Sequence, residues 1–142
     1  MIEASNIVDM IDDGWLQDNI TTSLDKPLIT NIMVSDSKRR NVSSTDLILV
    51  KFNEIEEKQL GHAYKYVDRI YPCDIVARTS VSFDHVLKLR DEIIRILRAN
   101  KFYYNTAWKM LITNIVDESI EMSLIYQFRI KVKVHEYGVL ID

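Results

Sequence analysis

The chain has 142 residues and a formal net charge of −3, with 18 basic and 21 acidic side chains. That is one domain's worth of sequence, and a 47% hydrophobic, 27% charged composition can build a core. Only 3 glycines and 2 prolines exclude collagen-like and Pro/Gly-linker architectures, and the acidic balance argues against bulk binding of nucleic acid or anionic membranes.

The opening segment, Ile2 to Asp13, reads as a short helix. Ile7, Val8 and Ile11 share one face, and Gly14 is its expected stop. Trp15 and Leu16 follow as anchors, and 18–26 reads as a polar loop. Leu28 to Val34 is an expected strand, with Pro27 at its start, where a missing N–H is tolerated. Ser35 to Thr45 is a polar loop carrying Lys38, Arg39 and Arg40. Leu47 to Phe52 is the second strand, closed by a charged turn over Glu54 to Lys58. Tyr64 to Thr79 is the third, with Pro72 inside it predicting a bulge or an edge position.

Phe83 to Ala99 carries the strongest helical pattern. Val86, Leu89, Ile93, Ile96 and Leu97 form an apolar face, widened by Phe83, Leu87 and Ile94. Asp84, Lys88, Asp91, Glu92, Arg95 and Arg98 are expected on the solvent side, with Asp91–Arg95 as an i,i+4 pair. Ser82 is the expected N-cap. Trp108 to Val116 is a strand, and Asp117 to Ser119 a turn. From Met122 to Val134 the even-numbered residues are apolar or aromatic, and Arg129, Lys131, Lys133 and then His135 fall on the other face. A strand this long rises roughly 45 Å and is expected to project beyond the domain or to twist strongly. The order α-β-β-β-α-β-β predicts an α+β fold: one domain over 1–142, a mostly antiparallel sheet, and helices packed on one face.

Few residues fall into patterns that carry known chemistry. One cysteine, Cys73, excludes an intramolecular disulfide framework and reads as a buried structural thiol. The first residues do not read as a signal peptide, and no apolar run approaches the ~18–20 residues needed to span a bilayer. Asn19-Ile20-Thr21 and Asn41-Val42-Ser43 read as chance matches to the glycosylation pattern. Isolated glycines at 14, 61 and 138 supply neither a P-loop, nor a dinucleotide fingerprint, nor a nucleophile elbow. His62, His85 and His135 have no ligand spacing and read as surface or rim histidines. Asp46 with Glu56-Glu57-Lys58 has the residue types of a metal-dependent nuclease, but the second group falls in an expected turn that would not aim it at one metal. The loop cations and the strand stripe Arg129, Lys131, Lys133 could track phosphates, or could keep a solvent-facing strand soluble. Seven tyrosines suit either an interface or the rim of a core.

A short N-terminal helix precedes Lys26-Pro27-Leu28-Ile29. Strands flank a polar loop, and the next strand contains Tyr71-Pro72-Cys73-Asp74-Ile75-Val76. The helix with Leu89-Arg90-Asp91-Glu92-Ile93-Ile94-Arg95-Ile96-Leu97 follows, and two strands end the chain. In length and element order, from Ile2 to about Glu136, this resembles the tail terminator (tail completion) proteins of tailed phages and tailed archaeal viruses. The resemblance implies a non-enzymatic virion subunit, assembled in the host cytoplasm, that forms a hexameric ring on the last ring of the tail tube. Its implied partners are copies of itself, the tail tube protein and the head–tail connector. It implies no cofactor, no metal and no membrane, and nucleic acid would only pass through the ring lumen.

The residues themselves supply opposite-sign surfaces for such a ring. The first 60 residues carry 6 basic and 11 acidic side chains, and the remaining 82 carry 12 and 10. The expected interface residues are Asp9, Asp12 and Asp13 against Arg129, Lys131 and Lys133, with Lys38, Arg39 and Arg40 as a second basic group. Two other readings stay open: a small nucleic-acid-binding module using the basic strand, and an enzyme with a composite site at a subunit interface.

Overall fold

The computed structural model describes residues 2–15, 27–31, 46–59, 66–102, 108–120, 122 and 124–140. Their elements are α1 (Ala4–Trp15), β1 (Leu28–Thr30), β2 (Leu47–Phe52), β3 (Glu56–Gln59), β4 (Tyr66–Thr79), α2 (Phe83–Ala99), β5 (Trp108–Asp117) and β6 (Tyr126–Leu140). The fold is α+β, with the order α-β-β-β-β-α-β-β. The added strand is β3, over residues expected to form a turn. It pairs antiparallel with β4, Glu56 opposite Ile70 and Glu57 opposite Arg69. The Arg69 Nε–Glu57 Oε1 ion pair of 2.8 Å fastens it there.

The sheet runs β1-β2-β4-β6-β5, with β3 beside β2 on the same edge of β4. All pairings are antiparallel except β1 with β2. β4 and β6 form its spine, paired from Tyr66–Leu140 to Thr79–Tyr126. The long last strand therefore does not project alone, because the 14-residue β4 runs beside the 15-residue β6. Pro72 makes neither a bulge nor an outer edge. Its carbonyl accepts from Asn53 N at 2.8 Å, in the gap where β2 ends and β3 has not begun. The N and O of one strand residue point to the same side, so the missing donor also falls in that gap and no bond to β6 is lost.

Both helices cover one face of the sheet. Ile7, Met10, Ile11 and Trp15 of α1, with Leu89, Ile93, Ile96 and Leu97 of α2, pack on Ile48, Val50, Cys73, Ile75, Ile130, Val132 and Val134. In α2, Ser82 Oγ accepts from His85 N at 3.1 Å, the expected N-cap. Two side chains depart from the expected pattern. Glu92 is buried at 1% exposure rather than solvent-facing, and it binds Arg95, whose Nη2 also donates to Gly14 O at 3.2 Å. The expected Asp91–Arg95 pair gives way to this, and Asp91 accepts instead from Arg90. α1 ends at Trp15, and its penultimate residue is Gly14. A Cβ there would stand 2.8 Å from Ile96 Cγ2, so the missing side chain lets the two helices approach.

In β6 the expected alternation holds from Phe128 to Val134: Phe128, Ile130, Val132 and Val134 are buried and Arg129, Lys131 and Lys133 turn away. It fails before Tyr126. Met122 and Leu124, expected in the core, are exposed in the hairpin tip, where Leu124 takes φ 52° and the chain reverses. For β1, 32–34 lie outside the described residues, as does the loop bearing Lys38, Arg39 and Arg40.

Candidate functional site

The two surfaces expected to meet between subunits lie on opposite sides of the molecule. Asp9 and Asp13 are exposed on α1, in the helix layer. Asp12, on the same helix, is half-buried and already has an interaction of its own. Arg129, Lys131 and Lys133 point from β6 to the face turned away from the helices.

The three basic residues of the stripe are not equivalent. Arg129 Nη1 donates to Asp74 Oδ2 at 2.8 Å, and its Nε donates to Glu118 Oε2 at 3.0 Å. Glu118 Oε1 also accepts from Gln127 Nε2, and Gln127 Oε1 accepts from Arg78 Nε, both at 2.8 Å. The bond to Glu118 and the one to Asp74 hold the Arg129 guanidinium above its usual pKa, against burial. Burial works to raise the Glu118 carboxyl, but its bonds from Gln127 and Arg129 prevail and hold it below the usual range. Arg129 is thus committed within its own chain, as part of a ladder across β4, β6 and the β5–β6 turn. Lys131 and Lys133 are exposed and join no ion pair among the described residues.

The basic patch extends farther along the sheet than the β6 sequence alone indicates. Cross-strand register sets Lys109 beside His135 and Leu111 beside Lys133. His135 stacks on Tyr137, with ring centroids 5.7 Å apart and planes at 18°. Burial, then Lys133 and Lys109, lower the His135 pKa against the pull of Asp68. Only the β5 pairing brings Lys109 here, so the signal was absent from β6 alone.

A second polar cluster was also missed. Asp46 accepts from Thr79 Oγ1 at 2.7 Å and meets His85 Nε2 at 2.5 Å. Thr79 Oγ1 accepts in turn from Val81 N at 3.1 Å. The cluster joins the start of β2, the end of β4 and the first turn of α2, and His85 is half-buried and tied down there, a rim position. The acids Glu56 and Glu57 stand far from it. Asp46 precedes Leu47, opposite Arg78, whereas Glu56 lies opposite Ile70. Eight residues of β4 separate those positions, roughly 26 Å. The nuclease-like residues are not brought together, and no group of three or more His, Cys, Asp or Glu among the described residues could hold a metal ion.

Cys73 is buried in the core, and burial followed by the Asp74 charge pushes its pKa up to about 12. Among the tyrosines, Tyr71 is buried, donating to Glu136 Oε1 at 3.2 Å, while Tyr137 is exposed. No described helix is long and apolar enough to cross a membrane.

The sequence matches no protein-family model and no curated protein.

Proposed function

We propose that this chain is the repeating subunit of a closed ring, a tail terminator of a tailed virus. It would cap the tail tube and dock it to the capsid connector, and it would reside in the virion. The observation that carries this reading is the placement of unlike charge on opposite sides of one subunit. A ring needs two different, non-overlapping patches on each copy. Asp9 and Asp13 stand on the helix layer, and Lys131 and Lys133 stand on the far face of the sheet. A neighbour placed helix-to-sheet brings the two signs together and leaves the same two patches free at its ends. Closure at six copies, the tube and connector as partners, and DNA passing only through the lumen follow from the resemblance in length and element order.

The test is electron microscopy of the purified protein, alone and mixed with tail tubes. Rings of uniform size that seat at tube ends are expected. A strict monomer that neither closes into rings nor appears at a tube end overturns the reading.

One observation favours a second reading, a small nucleic-acid-binding module. Lys109, Lys131, Lys133 and His135 share a face with Tyr137, an aromatic stacked within basic surroundings. Cations that track phosphates beside a stacking ring suit single strands. Binding of single-stranded DNA that weakens steeply with salt would favour this reading over the ring.

A further inference from the structure

The tip of the β5–β6 hairpin is apolar where a solvated turn would be polar. Ile120 is 54% exposed, Met122 100% and Leu124 62%. The tip is nonetheless a built structure. Ile120 N donates to Ile125 O at 2.7 Å, and Ile125 N returns to Ile120 O at 3.1 Å. Leu124 sits at φ 52°, a left-handed backbone that glycine would adopt without strain. From Asp117 to Leu124 the sequence reads Asp-Glu-Ser-Ile-Glu-Met-Ser-Leu, with three acids and no base.

The counterpart lies on the same chain. Between the end of α2 and β5 is a pocket of about 280 Å³, lined among the described residues by Leu97, Met110, Leu111 and Ile112, with Arg98 and Lys101. Both cations are exposed, and Lys101 Nζ lies 5.6 Å from the exposed Phe102 ring. An apolar knob flanked by acids is thus complementary in character to an apolar pocket flanked by bases. The two do not meet within one copy: Met110 and Asp117 are seven residues apart along β5, roughly 23 Å, and the tip turns beyond Asp117.

We infer that the hairpin tip Ile120–Met122–Leu124 of one subunit seats in the Leu97–Met110–Ile112 pocket of the next copy, with Arg98 and Lys101 meeting the tip acids other than Glu118, which Arg129 and Gln127 already hold. The inference rests on the ring reading and assigns that ring its apolar contact. Knob and pocket are different patches, so the contact is heterologous and leaves one of each free on every pair. Apolar insertion supplies the affinity, while charge sets register and encounter rate.

The experiment uses the full chain with two altered forms. One has a disarmed tip, Met122→Ser with Leu124→Gly, the glycine suiting the left-handed position. The other has a reversed rim, Arg98→Glu with Lys101→Glu. Thermal unfolding establishes that each is folded; should the double tip variant fail to fold, Met122→Ser alone replaces it. Sedimentation is then measured for the unaltered chain, each variant and their equal mixture. The expected result is assembly of the unaltered chain and at least about tenfold weaker self-association of each variant. The mixture should form heterodimers that grow no further, because each pair retains one intact knob and one intact pocket. Variants that assemble like the unaltered chain, or a mixture that does not pair, overturn this contact and leave the ring reading standing. An unaltered chain that stays monomeric at every concentration overturns both.

Discussion

The two faces of the sheet use the same strands for different ends. On the face toward α1 and α2, Ile75, Ile130, Val132 and Val134 are almost wholly removed from water. On the other, the neighbouring residues of the same strands carry Asp74, Arg129, Lys131 and Lys133. Burial of apolar area is worth about 25 cal/mol per Å², whereas an exposed ion pair contributes roughly 0–1 kcal/mol. The covered face therefore carries most of the stability, and the exposed lysines of the far face add charge with little consequence for it. That division separates the residues that hold the core from those that set the surface charge.

The covered face is tested most directly at Ile93, which has 0% exposure near the middle of α2. Ile93→Ala should cost roughly 2–5 kcal/mol in chemical denaturation, the range for deleting a large buried aliphatic side chain. A loss below about 0.5 kcal/mol, the scale of surface substitutions, would mean that the helix layer does not carry the stability assigned to it.

Next in size is Arg95→Ala. It strips the buried Glu92 carboxylate of its guanidinium and removes the bond to Gly14 O that ties α2 to α1. A buried acceptor left without its charged partner costs about 1–3 kcal/mol, read as a lower denaturation midpoint. Arg95→Lys should recover part of it, because an ammonium restores the charge without the fork.

Gly14→Ala sharpens the same contact by sign. The new methyl would meet Ile96 Cγ2 at 2.8 Å, and overpacking costs about 1–3 kcal/mol. Alanine returns about 1 kcal/mol of helix propensity, so a net loss of about 1 kcal/mol is expected. In an Ile96→Ala background, where the obstructing methyl is gone, the same substitution should stabilise. Thermal melts of the four proteins in that cycle give the answer.

What the sequence disclosed follows from which forces were local. The bounds of α2 and β2 were legible because an amphipathic repeat with a Ser82 cap, and a run of branched apolar residues, carry their own signal. β3 was not legible. Glu56-Glu57-Lys58-Gln59 has no apolar residue, and it is a strand because β4 extends past β2 and offers Arg69 to Glu57. Glu92 read as solvent-facing because its burial and its pairing with an Arg95 that reaches Gly14 O of α1 depend on tertiary packing that the helical repeat does not record. Met122 and Leu124 stayed in phase with Phe128, and periodicity does not mark where a chain reverses. The charges expected at an interface were legible in the sequence, and for the described residues so was the face that carries them. That Arg129 is spent on Asp74 and Glu118 required three chain segments to come together.

The far face has a pH signature of its own. Burial, with Lys133 and Lys109, lowers the His135 pKa below its ordinary value of 6.5. Between the ordinary and the lowered value, the unfolded chain binds a proton that the folded chain refuses. Stability from this group is therefore complete above about pH 6.5 and falls as pH drops through the window. His135→Gln should flatten that part of the stability–pH curve, and Lys109→Gln should reduce its slope. An unchanged curve in both variants would detach the histidine from the lysine patch.

The smallest effect on stability, and the sharpest on assembly, belongs to the two unengaged lysines. Lys131→Glu with Lys133→Glu should change unfolding free energy by no more than about 0.5 kcal/mol, because both side chains are exposed and join no described ion pair. Arg129→Ala is the internal control. It leaves Asp74 and Glu118 without their shared partner and should cost more than the double lysine change, although all three residues line one strand face. Assembly should reverse the ranking. Against Asp9 and Asp13 of a neighbour, the glutamates bring like charges together, so ring formation should slow by more than in Arg129→Ala. The difference should shrink in 1 M salt, where the screening length falls to about 3 Å. Light-scattering kinetics at low and high salt, set beside denaturation curves for both variants, read the two rankings. If the lysine variant assembles at the normal rate, the charge contact between helix layer and sheet is wrong. If it loses stability as Arg129→Ala does, the two faces of the sheet are not the independent surfaces described above.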